Sequence, residues 1–584
     1  MQKTRPILYG VADYAEIRRA NAWFLDRTAK IRDLEATRYA MFLRPRRFGK
    51  SLLVTMLHAY YDVNFAGRFE EFFGGTDIGA NPTEEHGKYL VMKFDFSAVS
   101  KDASEVQDSF DEYAALRVDT FAREYARRLP EGLSERILNA RGSCAKLNVT
   151  FAGLAHTSTK LYVLIDEYDN FTNTILAESG LNAYNELCHG DGFVKQFFTV
   201  LKTATSDIES PVTRLFITGV SPVTMDDVTS GFNIGTNISL MPQYADITGF
   251  RHDDLRAISD YYGERCGFDP DRLYETARIW YDNYRFGSFD APAVANTTIV
   301  LSFFNYIWQT HQFPKKLIDE NLRTDYAKVR HLVTMDRRLN GNFHVLENLL
   351  AGGKLSEQMV ESFQARELTK KENFTSLLYW LGITTITGDS FEKTEFGIPN
   401  ETLRHLAAKM IPAAYSDVHK IDERVYDINS GLCDFAEKGE WRGFVDILSS
   451  IVKENFAVRD SVEGEKVVQS TLVALLTAAG GPYLVRHERE AGGGFYDIAL
   501  KPQLDRWPEI AHAALIEMKY VKKGDPTPSQ EQLADIKAMA IEQLDKYSGD
   551  STLHSTLSTL HSSVSLHRLV LVFHGGDCAL SEEV

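Results

Sequence analysis

The sequence lacks the features that mark secreted, membrane-spanning or redox-active proteins. Its five cysteines are odd in number, widely scattered and without a C-x-x-C pair, which argues against a disulfide framework, a zinc site or a redox couple. No stretch reaches the roughly eighteen uninterrupted apolar residues of a membrane span. The N-terminal residues have no apolar core of the signal-peptide type. We therefore expect a cytoplasmic protein without a membrane partner.

Positive charge is also scarce. The sequence has 64 Lys and Arg residues against 81 Asp and Glu residues, a formal net charge of -17. This excess repels phosphate backbones and excludes a protein that coats nucleic acid non-specifically. A local basic cleft or bound Mg²⁺ can still handle a polyanion, so any contact with nucleic acid should be focal.

Length and patterning indicate several globular domains. The 584 residues exceed one hydrophobic core and suggest about three or four units. Strands alternate with helices over residues 1–250, which is typical of an α/β unit. Residues 251–424 are helix-rich and suggest a lid, and residues 425–584 lead from a helical connector into further strands and helices. The apolar spacing from Trp23 to Leu34 predicts one helix, and the Ser/Thr/Leu repeat at 551–565 predicts a surface loop.

The first part of the chain is organised around a phosphate-binding motif. Residues 41–53, MFLRPRRFGKSLL, read as a strand, a basic turn and a helix. Gly49 permits close backbone approach, Lys50 can reach the β- and γ-phosphates, and the Ser51 hydroxyl can ligate Mg²⁺. The match to G-x-x-x-x-G-K-[ST] is incomplete because Arg44 stands at the first Gly, so a structural turn is the alternative for this motif alone.

Two later strands supply the remaining groups for phosphoryl hydrolysis. A continuous apolar run ends in Asp166 and Glu167, and another buried run ends near Thr218. Hydrolysis needs Mg²⁺ held by a hydroxyl and a carboxylate, a base that orients water, and often a polar residue near the γ-phosphate. We assign these roles to Asp166 beside Ser51, to Glu167 and to Thr218. For either carboxylate alone, a helix N-cap is the simpler interpretation.

Basic residues near the loop have two interpretations. Arg44, Arg46 and Arg47 could contact the phosphates or the sugar of a nucleotide, but a solvated basic turn fits equally well. Arg251 and Arg285 are weaker candidates for arginines that reach the nucleotide from a lid or from another subunit.

A second set of chemical residues lies near the C-terminus. Glu517 and Lys519 alternate with apolar residues on one strand, and a neighbouring strand can bring Asp497 beside them. Two carboxylates can hold Mg²⁺ for phosphodiester cleavage while a lysine orients water, and Glu465 on the preceding helix could complete the set. An exposed strand is the alternative for an isolated E-x-K, but the flanking residues here are apolar.

Several of these phrases resemble a known protein family. LRPRRFGKSLLVTML, VLIDEYDN and FITGVSPVTMDDVTSGFNIGTNIS are similar to AAA-ATPase-like proteins that carry a C-terminal PD-(D/E)XK nuclease domain, and GGGFYDIAL with LIEMKY resembles that nuclease. The resemblance implies nucleotide roles for Lys50, Ser51, Asp166 and Glu167. It implies nuclease roles for Glu465, Asp497, Glu517 and Lys519, and it adds Gln543 as a polar residue beside the catalytic site.

The fold class expected from these observations is α/β, with a P-loop NTPase-type parallel sheet core, a helical lid and a C-terminal restriction-endonuclease-like α/β domain. The expected function is ATP binding and hydrolysis coupled to Mg²⁺-dependent DNA cleavage. The alternative is a nucleotide-switched scaffold whose nuclease-like domain binds a partner without cutting. DNA is the expected partner, and the reading also allows a homo-oligomer formed through the ATPase module.

Overall fold

The computed structural model describes most of the chain and separates it into two compact units. It describes residues 4–188, 192–206, 210–224, 235–318, 345, 349–350, 354–368, 370–415, 418–457, 464–491, 494–504, 506–548 and 564–584. The first unit contains the described residues up to Gln312 and those from Ser356 to Pro399, and the second contains those from Asn400 to Val584. Among the described residues, no helix is both long and apolar enough to cross a membrane.

A five-stranded, all-parallel sheet forms the centre of the first unit. Its strands are β1 (Tyr39–Leu43), β2 (Tyr89–Asp95), β3 (Lys160–Asp166), β4 (Val212–Gly219) and β5 (Thr236–Asn237), in the order β2-β3-β4-β1-β5. Asp95 pairs with Asp166, and Leu43 pairs with Gly219. The carboxyl ends of β1, β3 and β4 therefore lie at one edge, where open α/β sheets bind ligands.

Helices cover this sheet and extend beyond it. They are α1 (Tyr14–Arg19), α2 (Lys30–Glu35), α3 (Lys50–Tyr61), α4 (Phe69–Phe73), α5 (Asp77–Ala80), α6 (Val106–Glu124), α7 (Leu133–Asn139), α8 (Ser143–Leu154), α9 (Asn170–Glu178), α10 (Gly180–Cys188), α11 (Phe193–Ser206), α12 (His252–Cys266), α13 (Pro270–Tyr281), α14 (Thr297–Thr310) and α15 (Lys371–Trp380). In α3, Val54 and Leu57 are fully buried against Phe42, Leu164 and Phe216 of the sheet. Each side chain buried in this way contributes about 1.5–3 kcal/mol, which fixes α3 and the loop before it.

The single helix predicted from Trp23 to Leu34 is wrong at its start. Helices α1 and α2 flank a turn in which the Asp26 carboxylate accepts hydrogen bonds from the backbone N–H and the hydroxyl of Thr28. The backbone N–H of Trp23 donates to the Pro6 carbonyl at 2.9 Å. A short acidic side chain that bonds its own backbone competes with helix formation, so only the second half of the segment is helical.

The second unit is a mixed sheet with helices on both faces. Its strands are β9 (Tyr483–Ala491), β10 (Gly494–Pro502), β11 (His512–Val521), β12 (Ser565–His574) and β13 (Asp577–Glu583), in the order β13-β12-β11-β10-β9. Strands β11 and β12 are parallel, and the other neighbouring pairs are antiparallel. The helices are α16 (Glu401–Tyr415), α17 (Val418–Lys438), α18 (Arg442–Ala457), α19 (Glu465–Ala479) and α20 (Gln530–Ser548).

Alternation along β11 divides its side chains between two hydrophobic cores. Ile516 and Met518 pack into a core that includes Leu472 of α19. Leu515 packs into another core with Leu544 of α20. This confirms the sequence interpretation that β11 is covered rather than exposed, and it places the E-x-K segment between two helical layers.

The predicted fold class is confirmed: a parallel five-stranded core, helices and a separate C-terminal mixed sheet are all present. The small strands expected near Ile383 to Ile398 are β7 (Thr385–Ser390) and β8 (Lys393–Gly397), joined by the unpredicted β6 (Leu355–Glu357). The sequence analysis did not predict β13, whose residues DCALSEE mix exposed and partly buried side chains and contain no apolar run. The surface loop predicted at 551–565 lies almost wholly outside the described residues.

Candidate active sites

The phosphate loop has the backbone conformation that anion binding requires. Gly49 has φ 86° and lies directly before α3, whose first residues are Lys50 and Ser51. A residue with a Cβ is strained at this φ, so Gly is needed here. Because the first N–H groups of a helix have no intrahelical acceptor, the start of α3 favours a phosphate.

Four of the predicted nucleotide residues lie together at this loop. The Lys50 ammonium group is buried, donates to the Pro45 carbonyl at 3.3 Å and lies 3.5 Å from the Glu167 carboxylate. The Ser51 hydroxyl is hydrogen-bonded to Asp166. Lys50, Ser51 and Glu167 line one cavity of about 230 Å³. The side chains therefore meet across the edge of the sheet as the sequence predicted.

The electrostatics of Asp166 fit a cation. Burial raises the pKa of this carboxyl to about 6, the Ser51 hydrogen bond opposes the shift, and the charge of Glu167 adds to it. Glu167 has φ 52°, an uncommon conformation outside glycine that is typical of functional positions. A hydroxyl and a buried carboxylate with excess negative charge are the donor set that Mg²⁺ takes beside a nucleotide. The residues present therefore fit Mg²⁺.

Thr218 is positioned at the same edge. It is fully buried in β4 and pairs with Phe42 of β1. Its hydroxyl has no hydrogen-bond partner among the residues that the structure describes. Buried hydroxyls are nearly always paired, so this one calls for a ligand or a water molecule, although Thr218 is not among the residues that line the cavity with Lys50.

Arg44 has a structural role that neither sequence interpretation anticipated. Its guanidinium group is fully buried and donates to the carbonyls of Leu43, Ser239 and Tyr244. The same group lies over the Phe286 ring at 4.0 Å. The hypotheses of a phosphate contact and of a solvated turn are therefore both wrong for Arg44, which ties the end of β1 to residues 239–244.

The other arginines differ in how close they lie to the loop. Arg47 has φ 69° and lines the cavity together with Lys50. Arg46 donates to the Asn170 side chain at 3.4 Å. Arg251 forms ion pairs with carboxylates of its own neighbourhood, and Arg285 lies over the Phe289 ring at 5.2 Å. Arg47 is thus the arginine that the geometry places at the cavity.

The predicted C-terminal residues also lie together, around β10 and β11. Glu517 is 1% exposed, and one of its oxygens accepts from the Lys519 ammonium group at 2.8 Å. The Asp497 carboxylate accepts from the Met518 backbone N–H at 2.7 Å and from the Gln469 side chain at 3.2 Å. The second Glu517 oxygen, Oε2, is buried without a partner in the described part of the chain.

Negative charge in this second site is incompletely balanced. Burial, followed by the charge of Glu517, raises the pKa of Asp497 to about 7. Burial also raises the pKa of Glu517 despite Lys519, and Glu465 adds to both shifts. Within the described residues, no three His, Cys, Asp or Glu side chains converge on one ion position. The site fits a metal held by Asp497 and Glu517, with Glu465 contributing charge.

Comparison with protein families agrees with this geometry. Residues 8–229 match the family model described as a predicted AAA-ATPase, and residues 463–583 match the model of the PD-(D/E)XK nuclease superfamily. The chain carries an AAA-ATPase-like domain and a PD-(D/E)XK nuclease-like domain. No curated protein matches the chain. Apart from the weaker candidates Arg251 and Arg285, the candidate residues lie within the two matched regions, but the contacts described next reach beyond the first of them.

A clamp outside the matched region holds the phosphate loop of the AAA-ATPase-like domain. We call residues 296–298 the loop clamp. The Asn296 amide donates to the Arg46 carbonyl at 3.2 Å, and the Thr297 hydroxyl donates to the Phe48 carbonyl at 3.2 Å. Both the backbone N–H and the hydroxyl of Thr298 donate to the Arg47 carbonyl. The sequence shows only an Asn before a helix, so the clamp's role was missed.

Thr298→Val should weaken ATP binding about threefold to tenfold, because the loss of one hydrogen bond to the Arg47 carbonyl loosens the loop. Titration calorimetry with ATP and Mg²⁺ measures the effect. Thr310→Val at the far end of α14 removes a hydroxyl that donates to the Tyr306 carbonyl and accepts from the Gln312 backbone N–H, and it should have no effect on ATP binding. Equal ATP affinities for the wild type and Thr298→Val would contradict a positioning role for the clamp.

Asp169 is a further residue of the AAA-ATPase-like domain whose role the sequence did not indicate. Its buried carboxylate accepts from the backbone N–H groups of Val220 and Ser221 and from the Asn173 amide. Tyr168 adds a hydrogen bond to the Ser221 carbonyl. These hydrogen bonds join the segment after Glu167, the candidate base, to the segment after Thr218, the candidate γ-phosphate residue. The two candidate residues are therefore held in a fixed relative position.

Two glutamines complete the description of the nuclease-like domain. Gln469 lies one helical turn after Glu465 on α19, so both face the same way, and it donates to Asp497. Sequence reasoning missed it, although the spacing of four residues was a usable signal. Gln543 on α20 has a buried side-chain oxygen, and no described residue is its hydrogen-bond partner. The resemblance to the family suggested Gln543, and its role there stays a prediction.

Proposed function

We propose that the protein binds ATP with Mg²⁺ at Lys50, Ser51 and Asp166, hydrolyses it with Glu167 as the general base, and cleaves DNA with Mg²⁺ in its nuclease-like domain. In this proposal the nucleotide state regulates cleavage. The observation that carries the nuclease part is Glu517 Oε2, which is buried without a hydrogen-bond partner among the described residues although Lys519 pairs with the other oxygen. A buried polar atom without a partner is costly unless a ligand such as a cation binds it.

In the nucleotide site, the ion pair between Lys50 and Glu167 suggests how binding prepares hydrolysis. The two groups lie 3.5 Å apart. A triphosphate attracts the Lys50 ammonium group, which leaves the Glu167 carboxylate available to accept a proton from water. Thr218, whose hydroxyl has no hydrogen-bond partner among the described residues, is the candidate donor to the γ-phosphate. Ser51 and Asp166 would hold Mg²⁺, which would supply positive charge that stabilises the γ-phosphoryl group and the ADP that leaves.

In the nuclease site, each residue has a distinct role. Asp497 and Glu517 are the candidate metal ligands. Mg²⁺ bound there would polarise the phosphate and activate the attacking water. Gln469 and the Met518 backbone N–H hold the Asp497 carboxylate in place. Lys519, at 2.8 Å from Glu517, orients the attacking water or stabilises the negative charge that develops.

The DNA contact in this proposal lies beside β11. Lys522 and Lys523 are exposed directly after the strand that carries Glu517. Their loop is held by hydrogen bonds from the Gly575 backbone N–H to the Val521 carbonyl and between His574 and the Asp525 carbonyl. Two cations on the loop that follows the strand of Glu517 and Lys519 can bind the phosphates that flank the cut.

Replacing both Lys522 and Lys523 by Ala should weaken DNA binding and lower the slope of log affinity against log salt by about 1.8, because two phosphate contacts are lost. Fluorescence anisotropy over a range of salt concentrations measures both effects. A double Ala variant of Lys438 and Lys453, which are exposed on α17 and α18, changes the charge equally and serves as the control. An identical salt slope in both variants would place the DNA elsewhere.

A nuclease assay tests the main proposal. Plasmid and single-stranded DNA are incubated with the full chain, with and without ATP and with Mg²⁺ or EDTA. Cleavage that requires Mg²⁺ and changes with ATP supports the enzyme. No cleavage under any condition, together with tight binding of a protein partner, supports the scaffold. The same proposal includes three further expectations. They are a division of the chain into 1–250, 251–424 and 425–584, a homo-oligomer formed through the ATPase module, and a cytoplasmic location.

A further inference from the structure

Two histidines face each other in the second unit, at the amino end of β11. His512 is the first residue of β11, and His567 lies near the start of its parallel neighbour, β12. His512 Nδ1 lies 2.8 Å from His567 Nε2, which is a hydrogen-bond distance. We call these two residues the histidine pair. Glu517 follows His512 along the strand at a distance of about 17 Å, so the pair is separate from the candidate nuclease site.

A carboxylate and the end of a helix surround the pair. The Glu583 carboxylate of β13 lies 2.6 Å from His567 Nδ1, and its other oxygen accepts from the Trp441 indole N–H at 2.9 Å. Helix α17 ends directly before Gly439, where an added Cβ would lie 3.0 Å from His512 Cε1 and 3.3 Å from His567 Cε1. A carboxylate and the negative end of a helix dipole both favour one positive charge on the pair. The close approach of Gly439 leaves the rings no room to turn toward α17.

The hydrogen bonds limit how many protons the pair can hold. A hydrogen bond between two imidazole nitrogens contains one hydrogen, so one of these nitrogens is without a proton. A neutral pair and a pair with one added proton both keep this bond and the bond from His567 Nδ1 to Glu583. A second added proton places a hydrogen on all four ring nitrogens, so two N–H groups and two positive charges face each other. The folded arrangement therefore accommodates one added proton and opposes two.

We propose that the histidine pair is a pH-sensitive switch in the second unit, which is closed at neutral pH and opened by mild acid. Uptake of the second proton separates the rings and weakens the contacts around them. These contacts include the hydrogen bond from the Ala511 backbone N–H to the Ala436 carbonyl of α17 at 3.1 Å. They also include the bond from the Ser565 N–H of β12 to the Ala511 carbonyl at 2.8 Å. The switch depends on neither ATP binding nor DNA cleavage.

The other ionisable groups around the pair are neutral or have partners of their own. Tyr483 of β9 donates its hydroxyl to the His512 carbonyl at 2.8 Å, and burial raises the pKa of Tyr483. Lys438 at the end of α17 is paired with Asp434 at 2.7 Å. Arg442 of α18 lies over the Trp441 ring at 4.7 Å. The exposed carboxylates next to Lys438 in the sequence region of the helix end are Glu437 and Glu440.

The charges that act on His512 give the sign of the pH effect. Burial lowers the pKa of His512, the charge of His567 lowers it further, and Glu583 opposes both. In the unfolded chain, a histidine has a pKa of about 6.5. A histidine with a lower pKa in the folded chain stabilises the fold above that pH, and this stability is lost as the pH falls below it. Mild acid should therefore destabilise the region around the pair.

Hydrogen–deuterium exchange with mass spectrometry tests the switch on the full chain in EDTA, with rates corrected for the pH dependence of chemical exchange. Peptides from the end of α17, β12 and β13 report the opening of this region. Between about pH 7.5 and 5.5, wild-type protection factors should fall about tenfold relative to His512→Asn, because the unfolded wild type binds one proton more than the folded state. Asn keeps a polar group near the position of Nδ1 and does not titrate.

The comparison with a variant removes the contribution of the nuclease site. The pKa values of Asp497 and Glu517 are raised, so these carboxyls titrate with the opposite effect on stability. Both chains contain them, so the difference between the chains reports the histidine pair. His311→Asn, at an exposed position outside the second unit, also removes one histidine and should keep the wild-type pH dependence.

Glu583→Gln gives a second readout and supplies the test if His512→Asn does not fold. The amide keeps the shape of the side chain and removes the charge that favours the first proton. Protection should then fall with the first proton as well, and the total loss over the same pH range should exceed that of the wild type. A wild-type pH dependence that is unchanged in His512→Asn or, where that variant does not fold, in Glu583→Gln would overturn the proposal.

Discussion

Glu517→Gln is expected to reduce Mg²⁺-dependent DNA cleavage by about three orders of magnitude, because metal stabilisation of the transition state is worth several kcal/mol. ATP binding should be unchanged. Glu517 has a buried oxygen, Oε2, without a partner in the described chain, and its other oxygen accepts from Lys519. The amide keeps the volume of the side chain but removes the charge that would hold the cation. Gel-based cleavage of plasmid DNA measures the loss.

Related variants distinguish a metal ligand from a structural residue. Asp497→Asn should behave like Glu517→Gln, whereas Lys519→Ala should weaken cleavage without releasing the metal, because an ammonium group cannot be a ligand. Ca²⁺ should support DNA binding better than cleavage, since its looser geometry positions the water poorly. Glu542→Ala, at an exposed site on α20, is the matched control. Equal cleavage by the wild type and Glu517→Gln would favour the scaffold.

Thermal unfolding provides an independent readout of the same site. Burial raises the pKa of Glu517, so the ionised form destabilises the folded, metal-free chain. Glu517→Gln removes that cost and should not lower the melting temperature in EDTA. Mg²⁺ should stabilise the wild type by mass action and should have little effect on the variant. A residue with only a structural role would instead lose stability in both buffers.

The strands were predictable from sequence because their signal is local. Residues 161–165 form one continuous apolar run, and such a run predicts a strand that is covered on both faces. The carboxyl ends of parallel strands meet at one edge, so Asp166 and Thr218 could be placed together before any coordinates were known. Strand β13 was missed for the opposite reason, since an exposed edge strand of mixed polarity carries no such run.

The contacts that support the sites were less predictable than the strands, because they join distant parts of the chain. The loop clamp lies about 250 residues after the carbonyls that it holds, and no local pattern links Thr298 to Arg47. Gln469 on α19 donates a hydrogen bond to Asp497 on β10, which lies 28 residues later in the chain. In each case the sequence pattern indicated the candidate functional residue. The residue that orients it is brought close only by the tertiary fold.

Arg44 shows how a motif can mislead in one detail. Its position corresponds to the first Gly of the phosphate-loop pattern, and a basic residue beside such a loop suggests a phosphate contact. In the structure its guanidinium group donates to three backbone carbonyls and is covered by Phe42 and Phe286. At the position where the pattern has a flexible Gly, this chain therefore has an arginine whose hydrogen bonds hold the end of β1 in place.

Lys50→Ala is expected to abolish ATP binding, with at least about a hundredfold loss of affinity, because it removes the buried cation that faces the phosphates. The Lys50 ammonium group is 3% exposed and lies between the Pro45 carbonyl and Glu167. Calorimetry with ATP and Mg²⁺ measures the loss, and Lys101→Ala, at an exposed position, controls for the change in charge. Unchanged affinity in Lys50→Ala would remove the nucleotide site from the proposal.

Glu167→Gln separates binding from hydrolysis in the same site. The amide keeps the shape of the side chain and cannot accept a proton from water, so ATP should still bind while phosphate release slows by about 10² to 10⁴. Because the neutral amide no longer pairs with Lys50, the ammonium group is freer to contact the phosphates, and ATP affinity should be equal or higher. Opposite effects of the two variants on ATP affinity, measured side by side, assign phosphate binding to Lys50 and proton transfer to Glu167. Parallel losses of affinity would instead mean that the ion pair itself holds the loop in shape.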